Sequence, residues 1–473
     1  MNFYTYSMPG TNVDALRTQE AFQTYVDCGF TVFHLTGKNA FCLNGEEPWE
    51  TSNAKKCFDF AQKLGIKRII LRDHRLIDII QDQALIGDGC LFATEAELDA
   101  YVRRCMKDYA YEKGFYGLGL RDEPTYRHIT AYGEVYRAIK RVAKEFGYEN
   151  LYVQVNLNPM IGPASHTWCA DVTEIDEKTA YEGYLDSFFK ATNADRISVD
   201  NYPFKPSYTG GRFLPGYYVC FQILQRKCQQ YGAELSFVLQ TFEAIHKTKP
   251  EATAGWRRVS SVNEMYLQMN SALGFGVRDI SFYTYETPKE TAESAMYRSD
   301  QGSSLVTDKG YPTRIYDFTK RVIAHAKGVE SELCCRKWQG AKISVSESLA
   351  SVKDTYLKSE GRVLNNELLP PSVDFENDHS FALLRECTFD RDVLLTTEFK
   401  GETQQAYMYM VCNVVDTTCK LDLAPMKISL HFEGCDKAKI YKYSEWKEVS
   451  LKDGEYETQL ALGEAVFIIP QQK

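Results

Sequence analysis

A change of rhythm near residue 340 constrains this chain more than any single motif. Before it, short apolar runs alternate with amphipathic segments. The runs are 3–6, 31–35, 68–71, 115–120, 151–155, 196–200, 235–239 and 280–284. Between them, 52–64, 95–113, 129–146, 178–192, 216–231 and 262–274 repeat apolar residues at helical spacing. Alternation of this kind requires parallel strand pairing with helices outside. Eight such units in roughly 300 residues are the size of a (β/α)8 barrel. A doubly wound sheet is the alternative. It wants a glycine-rich first turn, and Met8-Pro9-Gly10-Thr11-Asn12 lacks one. Residues 313–330 read as a last helix, with Ile315, Phe318, Val322 and Ile323 on one face. Beyond 340 the period falls to two, in 405–411, 427–432, 438–443 and 465–469, with a turn at Lys452-Asp453-Gly454-Glu455. Strands and turns without helices predict a β-sandwich. The expected fold is therefore α/β: a (β/α)8 TIM barrel over 1–338, then an all-β sandwich over 341–473.

Charge and cysteine usage narrow the function classes. The net charge is −9 and no long Lys/Arg run occurs, which argues against nucleic acid or an anionic membrane as partner. No window reaches the roughly 18 apolar residues of a membrane span. Residues 1–20 hold no secretory h-region, so a soluble, cytoplasmic protein is expected. Of the 14 cysteines, Cys57, Cys105, Cys220, Cys228 and Cys412 lie in apolar segments, and no C-x-x-C pair occurs. Buried reduced thiols are the plain reading. The eight histidines show no H-x-x-x-H spacing, so neither a metal nor a cofactor is called for.

The strand ends carry the chemistry. Gly117-Leu118-Gly119-Leu120 runs straight into Arg121-Asp122-Glu123-Pro124, and Pro124 must end the strand. A carboxylate there sits where α/β barrels place their active sites. An acidic residue after a strand also caps the next helix, which is the structural reading of Asp122. The other strand ends supply His34, Asp73, Asn156, Asp200 with Tyr202, Gln240 with Glu243, and Tyr283, Tyr285 and Glu286. Carboxylates, amides and aromatic rings are the inventory for polyol recognition, since each hydroxyl both donates and accepts. Trp49, Trp168 and Trp256 fall in loops just after strands two, five and seven, where indoles stack on sugar faces or simply pack the loop.

On these stretches the chain resembles β-galactosidase-like glycoside hydrolases of gut bacteria, related in outline to the glutamate-using clan A glycosidases. Gly119–Pro124, Ile197-Ser198-Val199-Asp200-Asn201-Tyr202-Pro203-Phe204, Leu239-Gln240-Thr241-Phe242 and the approach to Ile280-Ser281-Phe282-Tyr283-Thr284-Tyr285 carry the likeness. The resemblance implies a carbohydrate substrate and a carboxylate pair. Two departures stand out. The clan's Asn-Glu pair on strand four is Asp122-Glu123 here, and Gln240 holds about the place of the strand-seven glutamate. A binding protein that keeps the barrel but has little or no catalysis is the alternative. A lyase or isomerase would want a lysine or a metal triad at the strand ends.

Glu123 is the expected general acid, with Asp122 raising its pKa. For its partner, Asp200 ranks ahead of Glu243 and Glu286, because it closes a strand and Asn201 and Tyr202 follow it. Arg121, Asp122, His34, Asp73, Asn156, Tyr202, Gln240, Tyr283, Tyr285 and the three tryptophans are expected to bind substrate. Strands four and six lie two apart; a wide gap would favour an inverting reaction and about 5–5.5 Å a retaining one. Stereochemical outcome, sugar, linkage and any homo-oligomer are left open.

Overall fold

The structure, a computed structural model, describes residues 1–37, 40–41, 43, 47–160, 177–204, 214–245, 255–287, 304–346, 363–364, 367–368, 375–402, 407–414 and 424–472. Its first part alternates strand and helix. The parallel strands are β1 (Asn2–Thr5), β2 (Phe33–Leu35), β3 (Ile69–Leu71), β4 (Phe115–Gly119), β5 (Tyr152–Gln154), β6 (Asn156–Leu157), β7 (Arg196–Asp200) and β8 (Glu234–Gln240). A short ribbon of β9 (Ala244–Ile245) and β10 (Gly255–Trp256) precedes β11 (Asp279–Tyr283). Helices α1 (Gln19–Asp27), α2 (Asn53–Lys63), α3 (His74–Ile77), α4 (Glu95–Met106) and α5 (Ile129–Glu145) fill the early connections. Helices α6 (Glu177–Thr192), α7 (Leu214–Tyr231), α8 (Val262–Gly274) and α9 (Arg314–Cys334) follow.

The strands form two parallel sheets, ordered β2-β3-β4-β5 and β6-β7-β8-β11-β1. Only Val155 separates β5 from β6, and it joins the two sheets. Leu120 N–H donates to Gln154 O on one side, and Ser198 N–H donates to Val155 O on the other. No ladder forms between β1 and β2. There, Thr31 and Val32 N–H both donate to Phe3 O. The strand order is that of the expected barrel, and the β1/β2 gap is where its ring of ladders is interrupted. The helices match the amphipathic segments, except that α4 stops at Met106 and α9 runs to Cys334.

The period-two region forms antiparallel sheets. One has six strands: β12 (Arg336–Val345), β16 (Val393–Gly401), β17 (Tyr407–Asn413), β22 (Ala465–Gln472), β19 (Cys435–Lys442) and β20 (Glu445–Ser450). Another has three: β15 (Leu384–Phe389), β18 (Met426–Phe432) and β21 (Glu455–Leu460). The two-residue strands β13 (Val363–Leu364) and β14 (Glu367–Leu368) pair only with each other. The expected turn is tight, with positive φ at Asp453 and Gly454.

Alternation along β17 decides how the halves join. Met408, Met410 and Cys412 enter the core shared with the helices, while Tyr409 and Val411 face the three-stranded sheet. The central strands β16, β17 and β22 of the six-stranded sheet are thus buried on both faces. Tyr441 donates to His325 O at 3.0 Å, Trp446 Nε1 to Gly328 O at 2.9 Å, and Asn270 Nδ2 to Gly463 O at 2.8 Å. One continuous apolar core therefore spans the parallel unit and the sheet behind it. The named cysteines are buried free thiols. No helix among the described residues is long and apolar enough to cross a membrane.

Candidate active site

Strand β4 prepares the site by being thin. A Cβ on Gly117 would stand 2.2 Å from Tyr152 O, and one on Gly119 would meet Arg72 Cγ at 2.8 Å and His34 Nε2 at 3.0 Å. Glycine at 119 therefore lets Arg72 and His34 close over the strand. Arg72 donates to Leu120 O at 2.9 Å and to the Tyr6 hydroxyl at 3.2 Å, and Tyr6 is hydrogen-bonded to Asp122.

Glu123 then breaks the line of the chain. Its φ is 45°, a left-handed conformation that costs a non-glycine residue about 1–3 kcal/mol. Its N–H donates to Asn156 O at 2.9 Å, so the chain past β4 stays hydrogen-bonded to β6. The Glu123 carboxyl lies within electrostatic reach of both Asp200 and Asp122. Asn156 Nδ2 ties the cluster together, donating to Asp122 Oδ1 at 3.0 Å and to Asp200 Oδ1 at 2.9 Å. Tyr202 donates to Asp200 as well.

Three carboxyl groups so close disfavour full ionisation. Burial first, then the charges of Asp200 and Asp122, push Glu123 up to about 8. Burial and the charge of Asp122 push Asp200 up to about 6, against hydrogen bonds from Asn156 and Tyr202. Asp122 and Glu123 keep an exposed flank. Water there softens the shift on Glu123 without reversing it. The cluster can hold one shared proton near neutrality, with Glu123 its preferred site.

Beside Asp200 stands a wall of rings. Tyr202 lies 4.9 Å from Phe242, 5.8 Å from Trp256 and 6.3 Å from Tyr283, centroid to centroid. Tyr202, Trp256 and Tyr283 are half-buried, so each keeps an open surface. Such faces bury the apolar side of a sugar ring.

Other expected residues are engaged elsewhere. Glu286 is fully buried and accepts from the backbone N–H groups of Gly10 (2.8 Å), Asn12 and Val13 (3.1 Å). It anchors the loop after β1. Glu243 pairs with Arg258 at 3.2 Å. Gln240 accepts from Phe204 N–H and donates to Phe242 O and Arg257 O. Asp73 caps α3 and pairs with Arg75 at 2.7 Å. Tyr285 packs outward on Tyr25 and Phe30. Trp49 is buried against Phe58 and Tyr109 and donates to Glu112 at 2.9 Å, so it packs its loop rather than lining the cluster. Trp168 lies outside the described residues. His34 is buried between Tyr4 and Tyr6, and burial holds it well below its usual pKa, so it is neutral. Arg121 donates to Ile80 O at 3.0 Å. No group of His, Cys, Asp and Glu among the described residues is suited to a metal ion.

Tyr6 and Phe242 are the site residues the strand-end reading passed over. Tyr6 follows the first strand directly, and the same rule applied there finds it.

No protein-family model and no curated protein matches the chain. Solved structures do match. An α-amylase from Anoxybacillus, described as giving insight into a new glycosyl hydrolase subclass, aligns over 100% of this chain and 98% of its own. Its TM-score is 0.50 at 12% identity. A GH27 β-L-arabinopyranosidase from Geobacillus stearothermophilus covers 100% and 95%, with TM-score 0.49 and 10% identity. A family 39 glycoside hydrolase from Bacteroides cellulosilyticus WH2 covers 99% and 80%, with TM-score 0.45 and 11% identity. At such identities the likeness to the α-amylase is one of fold, and it assigns no residue a role.

Proposed function

We propose that this protein is a glycoside hydrolase, built as a (β/α)8 barrel over about 1–338 and a sandwich over 341–473. Glu123 acts as general acid, and Asp200 is the second carboxylate. The observation that carries this reading is the cluster at neighbouring strand ends, in which Asn156 bridges Asp122 and Asp200 and in which burial and neighbouring carboxylate charge raise Glu123 and Asp200 unequally. In the free protein the proton stays on Glu123, facing the ionised Asp200. When a glycoside binds, its bridging oxygen takes the place of Asp200 as acceptor, and Glu123 protonates it as the bond breaks. Asp200 is left ionised beside the developing oxocarbenium ion. Asn156 and Tyr202 hold it there through the hydrogen bonds already described. The aromatic wall receives the sugar.

β-Galactosides are the first substrates to try. A panel of aryl glycosides tests the reading. Turnover on at least one of them, lost in Glu123→Gln, supports it. Turnover that survives the substitution removes Glu123 from the mechanism.

A second reading has its own observation. The amide of Gln240 occupies the end of β8, about where the resemblance expects a glutamate. A carbohydrate-binding protein without turnover fits that fact. Calorimetric sugar binding with no hydrolysis over long incubation would select it.

A further inference from the structure

Asp122 gives and takes no proton in the mechanism above, and its side chain is exposed. The groups around it are unevenly supplied with hydrogen-bonding capacity. Asn156 Nδ2 spends its donors on Asp122 and Asp200, at 3.0 and 2.9 Å. The Tyr6 hydroxyl accepts from Arg72 Nη1 at 3.2 Å and is hydrogen-bonded to Asp122, while Tyr202 donates to Asp200. The proton of Glu123 is reserved for the bridging oxygen. What these groups have left over accepts rather than donates. Asp122 and Asp200 keep spare lone pairs, and the buried Asn156 Oδ1 has no donor from the protein.

Charge is unbalanced in the same sense. Three carboxyls that hold one proton leave two negative charges. Arg72 offsets part of this through Tyr6. Other arginines nearby in the chain are engaged elsewhere. Arg257 pairs with Glu264 at 2.7 Å, Arg258 pairs with Glu243, and Arg121 donates to Ile80 O. Next to Asp200, the half-buried Tyr202, Trp256 and Tyr283 present open ring surface, and the face of such a ring attracts a cation.

We propose that the sugar taken by this site is an amino sugar with a free ammonium group, and that Asp122 is the specificity-determining counter-ion for it. The proposal rests on the hydrolase reading above and names its substrate class. An ammonium carries three donors and no acceptor, so it suits the spare lone pairs of Asp122, Asp200 and Asn156. Its hydrogen bonds to a carboxylate are charge-assisted, roughly twice as strong as neutral ones. A hydroxyl must also accept, and the donors of Asn156, Tyr6 and Tyr202 are already taken. A uronate or a sugar phosphate would add charge of the sign already in excess. No group among the described residues is suited to a bare metal ion.

The test uses aryl glycosides in matched sets, in both the gluco and galacto series. Within a set, one carbon of the glycone carries a free amine, a hydroxyl or an N-acetyl group. On wild type, kcat/KM for the free amine should exceed that for the other two by at least ~10-fold in an accepted series, as for one hydrogen bond between charged groups. Asp122→Asn should slow every substrate and bring the ratio close to one. An equal or greater rate on the hydroxyl or N-acetyl member, or an amine preference that survives Asp122→Asn, overturns the proposal. A wild type that hydrolyses none of the sets defeats the hydrolase reading instead. The amino-sugar proposal is then judged by calorimetry of glucosamine and galactosamine against glucose and galactose. Tighter binding of an amine, lost in Asp122→Asn, supports it. Equal binding, or none, overturns it.

Discussion

Two stretches of the same rim carry carboxylates at strand ends and use them in opposite ways. On the β4–β7 side, Asn156 bridges Asp122 and Asp200, and the charges of both raise Glu123. On the β8–β11 side, Glu243 has an arginine and Glu286 has three backbone N–H groups. The position after a strand is shared, and the partners differ. A carboxylate surrounded by donors is held as scaffold, even where burial pushes it up, as it pushes Glu286 to about 7 against its three backbone donors. One surrounded by other carboxylates must keep a proton, and a retained proton is what acid catalysis requires. Backbone geometry follows the same division. Glu123 holds a costly positive φ, while neither Glu243 nor Glu286 does.

The largest effect that could break this comparison is on turnover. Glu123→Gln is expected to lower kcat at least ~10²-fold, the usual size of a general acid's contribution. Asp200→Asn should lose at least as much. Glu243→Gln should retain most of the rate per folded molecule. Steady-state kinetics on any accepted glycoside checks all three. A Glu243→Gln loss that matches Glu123→Gln would move the second carboxylate to the β8 side.

Next in size is a stability effect at Gln240. Replacing it by glutamate restores the carboxylate that the resemblance expects at this strand end. The side chain is fully buried, and its Nε2 donates to two carbonyls. Gln240→Glu sets a carboxylate against both of them, at a cost of about 3 kcal/mol or more, and should add no activity. Urea unfolding with parallel kinetics reads both halves of that statement. A faster enzyme of unchanged stability would mean that Gln240 marks a lost nucleophile.

Glu286→Gln is the milder counterpart. An amide offers one acceptor oxygen to three N–H donors that now meet two. The expected loss is about 1–3 kcal/mol, seen as a lower urea midpoint with kcat nearly intact. A large fall in kcat without a stability change would place Glu286 in the chemistry.

How much of this was open to reading differs between fold and site. The strands were legible because a buried parallel strand reads as a nearly continuous apolar run, as 69–71 does. The start of the antiparallel region was less so. β12 begins at Arg336, directly after α9, because Trp338 and Ala341 pack into the shared core while Lys337 and Gln339 face out. At the site, strand ends drew attention to Glu123 and Asp200 but not to the backbone of the first. Sequence rules assign positive φ to glycine and asparagine, so nothing marked Glu123 as a left-handed residue. The role of Glu286 was hidden for another reason. Its donors, Gly10, Asn12 and Val13, are more than 270 residues away in the chain.

The smallest expected effect is a shift of pH, and it asks whether the cluster acts as one electrostatic unit. In the proposed mechanism Glu123 must be protonated, so the rate falls as pH rises through its pKa, near 8. Asp200 must be ionised, so the rate rises with pH through its own, near 6. The profile of kcat/KM should be a bell between those limits, whose apparent values belong to the coupled pair. The charge of Asp122 raises both pKa values, so Asp122→Asn should lower both. The whole bell then slides toward acid, by about one unit or less, without narrowing. Loss of the Asp122 contact with Asn156 will also lower the height of the bell, but height alone does not discriminate. A purely structural Asp122 would reduce the rate and leave both limbs where they were. If only the alkaline limb moves, Asp122 acts on Glu123 alone, and the assignment of the acid limb to Asp200 fails.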